Sequence, residues 1–130
     1  MKTMTQMVYE FHETYGAMIS NKPKLPDANT RKLRIDLLKE ELDEFLNGES
    51  ANNIVEIADA LGDIMYVALG AAISYGIPID AVFNEIHRSN MSKLGEDGKP
   101  IYREDGKVLK GPNYFKPDVA KVLRDYGGEI

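Results

Sequence analysis

The stretch "IVEIADALGDIMYVALGAAI", residues 54–73, is apolar except for Tyr66 and three carboxylates. The carboxylates belong to Glu56, Asp59 and Asp63. At 100° per residue they fall within an arc of about 60°, so on a helix they form one row. Such a row is either the solvated stripe of an ordinary helix or a cation site. A buried row would need a metal ion or bases from elsewhere in the fold, because no Lys or Arg occurs between Lys39 and Arg88.

A second group of acids lies in "KEELDEF", residues 39–45. Glu40 and Glu44 are one helical turn apart, and Glu41 lies beside them. A short connection, residues 47–53, predicts an antiparallel helical hairpin that brings both groups of acids to one level. Oxygen ligands that face one another in this way are typical of a hard cation, and the pattern predicts Mg²⁺, with Mn²⁺ as the alternative.

Helical periodicity and end signals predict the elements that position these acids. The predicted helices cover residues 4–20, 30–46, 53–75 and 78–92. A small hairpin is predicted in "IYREDGKVL", and a short last helix is predicted from Pro117 to Gly127. The predicted fold class is all-α, a four-helix bundle followed by a short, irregular, basic C-terminal segment. The length of 130 residues predicts one domain, residues 1–130.

The third predicted helix is apolar around most of its circumference, so it must be covered on nearly every side. A small monomer would leave one of these faces exposed. The sequence therefore predicts a homo-oligomer, either a homodimer or a homotetramer.

Composition limits the partners. The net charge is −5 and no basic stripe is present, which argues against binding to a nucleic acid polymer. The longest apolar run, residues 64–73, is half of what a bilayer requires, so we expect no membrane association. No secretory leader is recognisable and no cysteine is present, so we expect a cytoplasmic protein.

The two acidic motifs resemble those of the all-α nucleoside triphosphate pyrophosphohydrolases, the MazG-like group. This group includes phosphoribosyl-ATP pyrophosphohydrolase and the all-α dUTPases. Their pattern, E-E-x-x-E on one helix and E-x-x-D on the next, reads here "EELDE" at 40–44 and "EIAD" at 56–59. The stretches "EFHETYGA", "DAVFNEIHRSNMSK" and "DGKVLKGPNYFKPDV" extend the resemblance over most of the chain, to a branch with dUTPase-type members.

The second motif departs from the family pattern. The interval between Glu44 and Glu56 is slightly shorter than the family usually has. If "GDIMYV" is aligned with the family's "ADLLYV", the terminal acid becomes Asp63 and the expected Glu falls on Ala60. Which of Glu56, Asp59 and Asp63 would bind the metal directly stays open.

The resemblance implies Mg²⁺-dependent cleavage between the α and β phosphates of a (deoxy)nucleoside triphosphate, giving a monophosphate and pyrophosphate. The implied metal ligands are Glu40, Glu41, Glu44, Glu56, Asp59 and Asp63. We interpret Glu41 as the catalytic base, since it is the least committed to metal ligation. The residues interpreted as substrate contacts are His87, Arg88, Asn90, Lys93, Lys107, Lys110 and Tyr66. The alternative for them is a solvated surface or, for Tyr66, the core.

Three rival interpretations remain. The chain is a nucleotide- or metal-binding module without catalysis, a helical adaptor whose acids only confer solubility, or a phosphoribosyl-ATP pyrophosphohydrolase. We rank the last below an enzyme for free nucleotides because of the resemblance in "HRSNMSK" and "DGK". His12 either contacts a base or phosphate or is packed for structural reasons.

Overall fold

The computed structural model describes all 130 residues, and the chain is all-α apart from one small hairpin. The elements are α1 (Met4–Tyr15), α2 (Ala28–Ser50), α3 (Ile54–Tyr75), α4 (Ile79–Met91), β1 (Ile101–Tyr102), β2 (Val108–Leu109) and α5 (Val119–Asp125). The predicted all-α class and the predicted hairpin are confirmed.

The chain divides into two compact units, residues 1–77 and 78–130. The first contains α1 to α3, and the second contains α4, the hairpin and α5. The predicted count of four bundled helices is therefore not confirmed. The assignment of residues 1–130 to one domain stays a prediction.

Helix α1 is short because it has a defined cap at each end. Thr3 and Gln6 form a reciprocal capping box, in which each side chain accepts a hydrogen bond from the other residue's backbone N–H. The helix ends at Tyr15 rather than at the predicted residue 20, since Gly16 adopts a left-handed conformation with φ 73°.

The segment after α1 covers the end of α3. Ser20 donates its hydroxyl to the carbonyl of Ser74 at 2.8 Å, and Ser74 donates to the carbonyl of Met18 at 2.9 Å. The backbone N–H of Lys24 reaches the carbonyl of Tyr75 at 3.0 Å. The bonds from Ser20 and Lys24 satisfy carbonyl groups that the end of α3 would otherwise leave without partners.

Helices α2 and α3 form the predicted antiparallel hairpin. Asp27 caps α2 through the N–H of Thr30, and Asn53 caps α3 through the N–H groups of Val55 and Glu56. Between the helices, Asn52 has a positive φ of 51°, which Asn tolerates better than most residues. Helix α2 continues to Ser50, beyond the end predicted at residue 46.

The most buried helix residues of the first unit are mostly small or polar. They are Val8, His12, Arg34, Gly48, Ala60, Gly70, Ala72, Ile73 and Ser74. Large apolar side chains are instead exposed along α3, where Ile54, Leu61 and Met65 recur at helical spacing and are 74%, 46% and 49% exposed. These side chains form an exposed apolar stripe along α3.

Helix α3 is long and apolar enough, by length and composition alone, to cross a membrane. The core helices of water-soluble bundles meet the same criterion. The absence of a membrane partner therefore stays a prediction.

In the second unit, the segment before α5 is bound along one side of α4. Ser89 donates its hydroxyl to the carbonyl of Phe115 at 2.8 Å, and the N–H of Phe115 donates to the hydroxyl of Ser92 at 3.1 Å. Ser92 in turn donates to the carbonyl of Ser89 at 2.5 Å. Part of the "HRSNMSK" stretch thus holds the second unit together.

Glu85 fixes the same segment by charge. Its carboxylate accepts hydrogen bonds from the guanidinium of Arg88 at 2.8 Å and from the N–H of Asp118 at 2.6 Å. The bond from Arg88, followed by that from Asp118, lowers the pKa of Glu85 to about 2. The guanidinium of Arg88 also lies 4.2 Å from the ring centroid of Phe115, a cation–π contact.

We expect Ser89→Ala to destabilise the second unit by about 1–3 kcal/mol, because it leaves the carbonyl of Phe115 without its donor. Hydrogen exchange of the amides of residues 111–118 measures the effect, and these amides should exchange faster. The matched control is Asn90→Ala, which changes the next, exposed residue. Unchanged exchange in Ser89→Ala would contradict this account.

Candidate metal centre

Close contact at two glycines sets the register of α2 against α3. A Cβ atom on Gly48 would lie 3.1 Å from the backbone nitrogen of Ile57 and 3.2 Å from the Cβ of Glu56. A Cβ atom on Gly70 would lie 2.9 Å from Nη1 of Arg34. Gly48 is therefore level with Glu56, and Arg34 is level with Gly70.

Two acids face each other midway between these contacts. Seven residues back from Gly48 along α2 is Glu41, and seven residues forward from Glu56 along α3 is Asp63. Because the helices are antiparallel and seven residues make about two turns, Glu41 and Asp63 are level with each other.

The carboxylates of Glu41, Glu44 and Asp63 converge at this level. One oxygen from each residue lies within 4.8 Å of the others, close enough for one ion to contact all three. We call these three residues the acidic triad. Glu41 and Asp63 are half-buried, whereas Glu44 is exposed.

Repulsion within the triad alters the acidity of Glu41. Its partial burial, followed by the close approach of Glu44 and then by the charges of Asp63 and Glu40, raises its pKa to about 7. One oxygen of Glu41 is buried and has no hydrogen-bond partner. An unpartnered carboxylate oxygen beside two further acids fits a divalent cation with oxygen ligands, as predicted for Mg²⁺ or Mn²⁺.

The other acids of α3 line an adjoining pocket. Glu44, Asn47, Glu56 and Asp59 surround a space of about 320 Å³. Glu44 belongs to both the pocket and the triad, so the two are continuous. Glu40, the sixth predicted ligand, is exposed, and it is close enough to contribute to the raised pKa of Glu41.

The geometry bears on the departure from the family motif. Asp63 faces Glu41, whereas Asp59 faces the pocket. Ala60, where the aligned pattern would have its Glu, is 1% exposed and packed in the core. Among the acids of α3, Asp63 is therefore the one that the fold brings to the triad.

Tyr66 lies one turn beyond Asp63 and is half exposed. Its ring meets Phe11 edge-on, with 5.8 Å between the centroids, and Phe11 lies 4.5 Å from Tyr15. Tyr66 is therefore part of an aromatic surface formed by α1 and α3, and its contact with a base stays a prediction.

The remaining predicted substrate contacts lie in the second unit. Arg88 is engaged by Glu85 and Phe115, and Lys110 lies 4.9 Å from the ring centroid of Tyr114. His87, Asn90 and Lys107 are exposed and Lys93 is half-buried. Their contacts with a nucleotide stay predictions.

The sequence interpretation missed two residues of this region. Asn47 was assigned to the turn after α2, although it is helical and lines the pocket. Arg34 was not considered, although it lies seven residues before Glu41, a spacing that places both on one side of α2. His12, for which two interpretations were open, is packed, with Nδ1 at 3.0 Å from the carbonyl of Met18.

Comparison with known families identifies the family to which this chain belongs. A family model for phosphoribosyl-ATP pyrophosphohydrolase matches residues 8–90. The chain belongs to this family. The match covers all six predicted metal ligands and supports an activity of the pyrophosphohydrolase type.

The chain is also similar to two further proteins. An uncharacterised protein of Acanthamoeba polyphaga mimivirus is 36% identical over 128 residues, which are 93% of this chain and 48% of that protein. The chain thus spans about half the length of this relative. The fold is that of the crystal structure of a proposed NTP pyrophosphohydrolase from Exiguobacterium sp. 255-15, with a TM-score of 0.54, 22% identity and 95% of each chain covered.

The raised pKa of Glu41 predicts how cation-free stability depends on pH. A carboxyl whose pKa is higher in the folded chain is destabilising once it ionises, so stability should fall as pH rises from about 4.5 to about 7. Glu41→Gln should remove most of this fall and raise the Tm at pH 8, and thermal unfolding in a chelator measures both. The control is Asp43→Asn, which neutralises an exposed acid outside the triad. A Tm that falls equally with pH in wild type and Glu41→Gln would contradict the assignment.

Proposed function

We propose that this chain is a Mg²⁺-dependent nucleoside triphosphate pyrophosphohydrolase that cleaves between the α and β phosphates. The observation that carries the proposal is the convergence of Glu41, Glu44 and Asp63 in a chain of this family. Three carboxylates without a basic partner repel a polyphosphate, so this surface suits a nucleotide only together with cations.

Each group of residues has a distinct role in the proposed reaction. Glu41, Glu44 and Asp63 would hold a divalent cation, with Glu56 and Asp59 available for a second one in the pocket. The cation would supply neutralisation of phosphate charge and activation of water. Glu41 would accept the proton from the attacking water as the general base.

The proposed substrate is a free (deoxy)nucleotide rather than phosphoribosyl-ATP. Support comes from the resemblance of "HRSNMSK" and "DGK" to the dUTPase-type branch. Ser89 and Ser92 of that stretch bind Phe115, so Asn90 and Lys93 are its better candidates for phosphate or sugar contacts. A nucleotide-binding module without turnover is the alternative.

The decisive experiment is pyrophosphate release from a panel of nucleotides that includes phosphoribosyl-ATP, with Mg²⁺ or Mn²⁺. We expect turnover that a chelator abolishes and that Glu41→Gln lowers by about 10²- to 10⁴-fold, the usual contribution of a general base. Asp43→Asn is again the control and should keep wild-type turnover. Cation-dependent nucleotide binding without any pyrophosphate release would favour the non-catalytic module.

We also propose that the chain works as a homo-oligomer, a dimer or a tetramer. Support comes from the stripe formed by Ile54, Leu61 and Met65, which a lone chain leaves exposed. Covering an apolar surface of this kind with a second copy removes it from water and stabilises both chains.

Leu61→Glu should weaken this assembly, because it places a charge in the middle of the apolar stripe. We expect the molar mass from light scattering to fall towards the 14.6 kDa of one chain. Ser50→Glu, which adds the same charge at an exposed residue near the end of α2, should leave the mass unchanged. A wild type that is already monomeric would exclude the proposed assembly.

A further inference from the structure

Arg34 is a buried cation without a matching acid. It lies on α2 and is 8% exposed, and its Nε has no hydrogen-bond partner. Burial alone lowers its pKa, and no carboxylate acts to offset the effect. Because buried arginines are normally paired, this guanidinium is an exception that needs a reason.

His12, on which the charge of Arg34 acts, does not supply the missing negative charge. Its Nδ1 lies 3.0 Å from the carbonyl of Met18, so the N–H is on Nδ1 and the lone pair of Nε2 faces the other way. Burial and the charge of Arg34 both lower the pKa of His12, which keeps the imidazole neutral. The neutral ring of His12 therefore does not balance the charge of Arg34.

Gly70 makes room for both side chains. A Cβ atom at this position would lie 2.9 Å from Nη1 of Arg34 and 3.1 Å from Nε2 of His12. A glycine inside a helix and an unpaired buried cation both lower stability. Sequences break such rules mainly at functional sites, so the pair of exceptions points to a ligand for Arg34.

The position of Arg34 indicates what that ligand is. Arg34 lies two turns, or about 10 Å, from Glu41 along α2, and Gly70 lies the same distance from Asp63 along α3. The guanidinium and the acidic triad therefore follow one seam between the two helices. Cations at the triad would hold one end of a long anion. If this anion extended along the seam, its other end would reach Arg34.

We propose that Arg34 binds the polyphosphate chain of the substrate and supplies the permanent positive charge at the end of the seam away from the pocket. This inference rests on the proposed function, since it takes the substrate to be a polyphosphate. The planar guanidinium suits phosphate oxygens because it donates two parallel hydrogen bonds to them. His12 and Gly70 are positioning residues that hold the guanidinium in place.

The test is binding of inorganic tripolyphosphate with Mg²⁺, measured by calorimetry, together with the Tm of each variant. Arg34→Met should raise the Kd by about 10- to 100-fold, the usual effect of losing a charge-assisted hydrogen bond. It should not lower the Tm, because methionine removes an unpaired buried charge at similar volume. Arg31→Met, which removes the same charge from an exposed position one turn earlier, should leave the Kd unchanged.

Three results would overturn the proposal: a wild-type Kd in Arg34→Met, an equal loss in Arg31→Met, or no binding of tripolyphosphate by the wild type. If Arg34→Met does not fold, Arg34→Gln keeps a polar side chain without the charge and gives the same comparison. Arg34-dependent binding in a protein that releases no pyrophosphate would remove the proposed hydrolysis and keep this site. Pyrophosphate release by the wild type, together with a wild-type Kd in Arg34→Met, would keep the proposed hydrolysis and remove this site.

Discussion

Repulsion between carboxylates that the backbone forces together is the constraint on which this structure depends. Gly48 allows α2 and α3 to approach so closely that the register between them is fixed. Glu41 cannot then move away from Asp63 without breaking contacts along the whole hairpin. Burial of Glu41 and then this excess of negative charge raise its pKa, and one of its oxygens has no hydrogen-bond partner. The hairpin therefore suits the divalent cation proposed above.

The arrangement of charged side chains between α2 and α3 lowers the stability of the first unit. Its most buried side chains include His12, Arg34 and Ser74, whereas apolar residues such as Ile54 and Leu61 face outwards. Buried apolar area is the main favourable term in folding, so a lone unit of this kind has little of it to spare. Cation binding and the proposed assembly would each restore part of the loss by mass action. The proposed function and the proposed assembly would therefore be linked through stability.

Local patterns in the sequence were enough to predict the helices and the row of acids, because both follow from helical spacing. The end of α2 was predicted wrongly at residue 46, since Gly48 was interpreted as a stop signal. Because Gly48 has no side chain, α2 can approach Ile57 of α3 closely. No local pattern in the sequence reveals this contact. The sequence does not predict Arg34 as a site residue, because a single buried charge has no periodicity. The partners of Ser89 likewise lie 26 residues away, at Phe115.

The seam between α2 and α3 concentrates the repulsion between like charges at one level. At its two ends a glycine faces a charged residue, Gly48 against Glu56 and Gly70 against Arg34. A lone charge opposite a glycine meets no like charge, so only its burial counts against it. In the middle, Glu41 faces Asp63, and two like charges meet at short range in partly dehydrated surroundings. The seven-residue spacing that sets these three levels therefore concentrates the electrostatic cost where the proposed chemistry takes place.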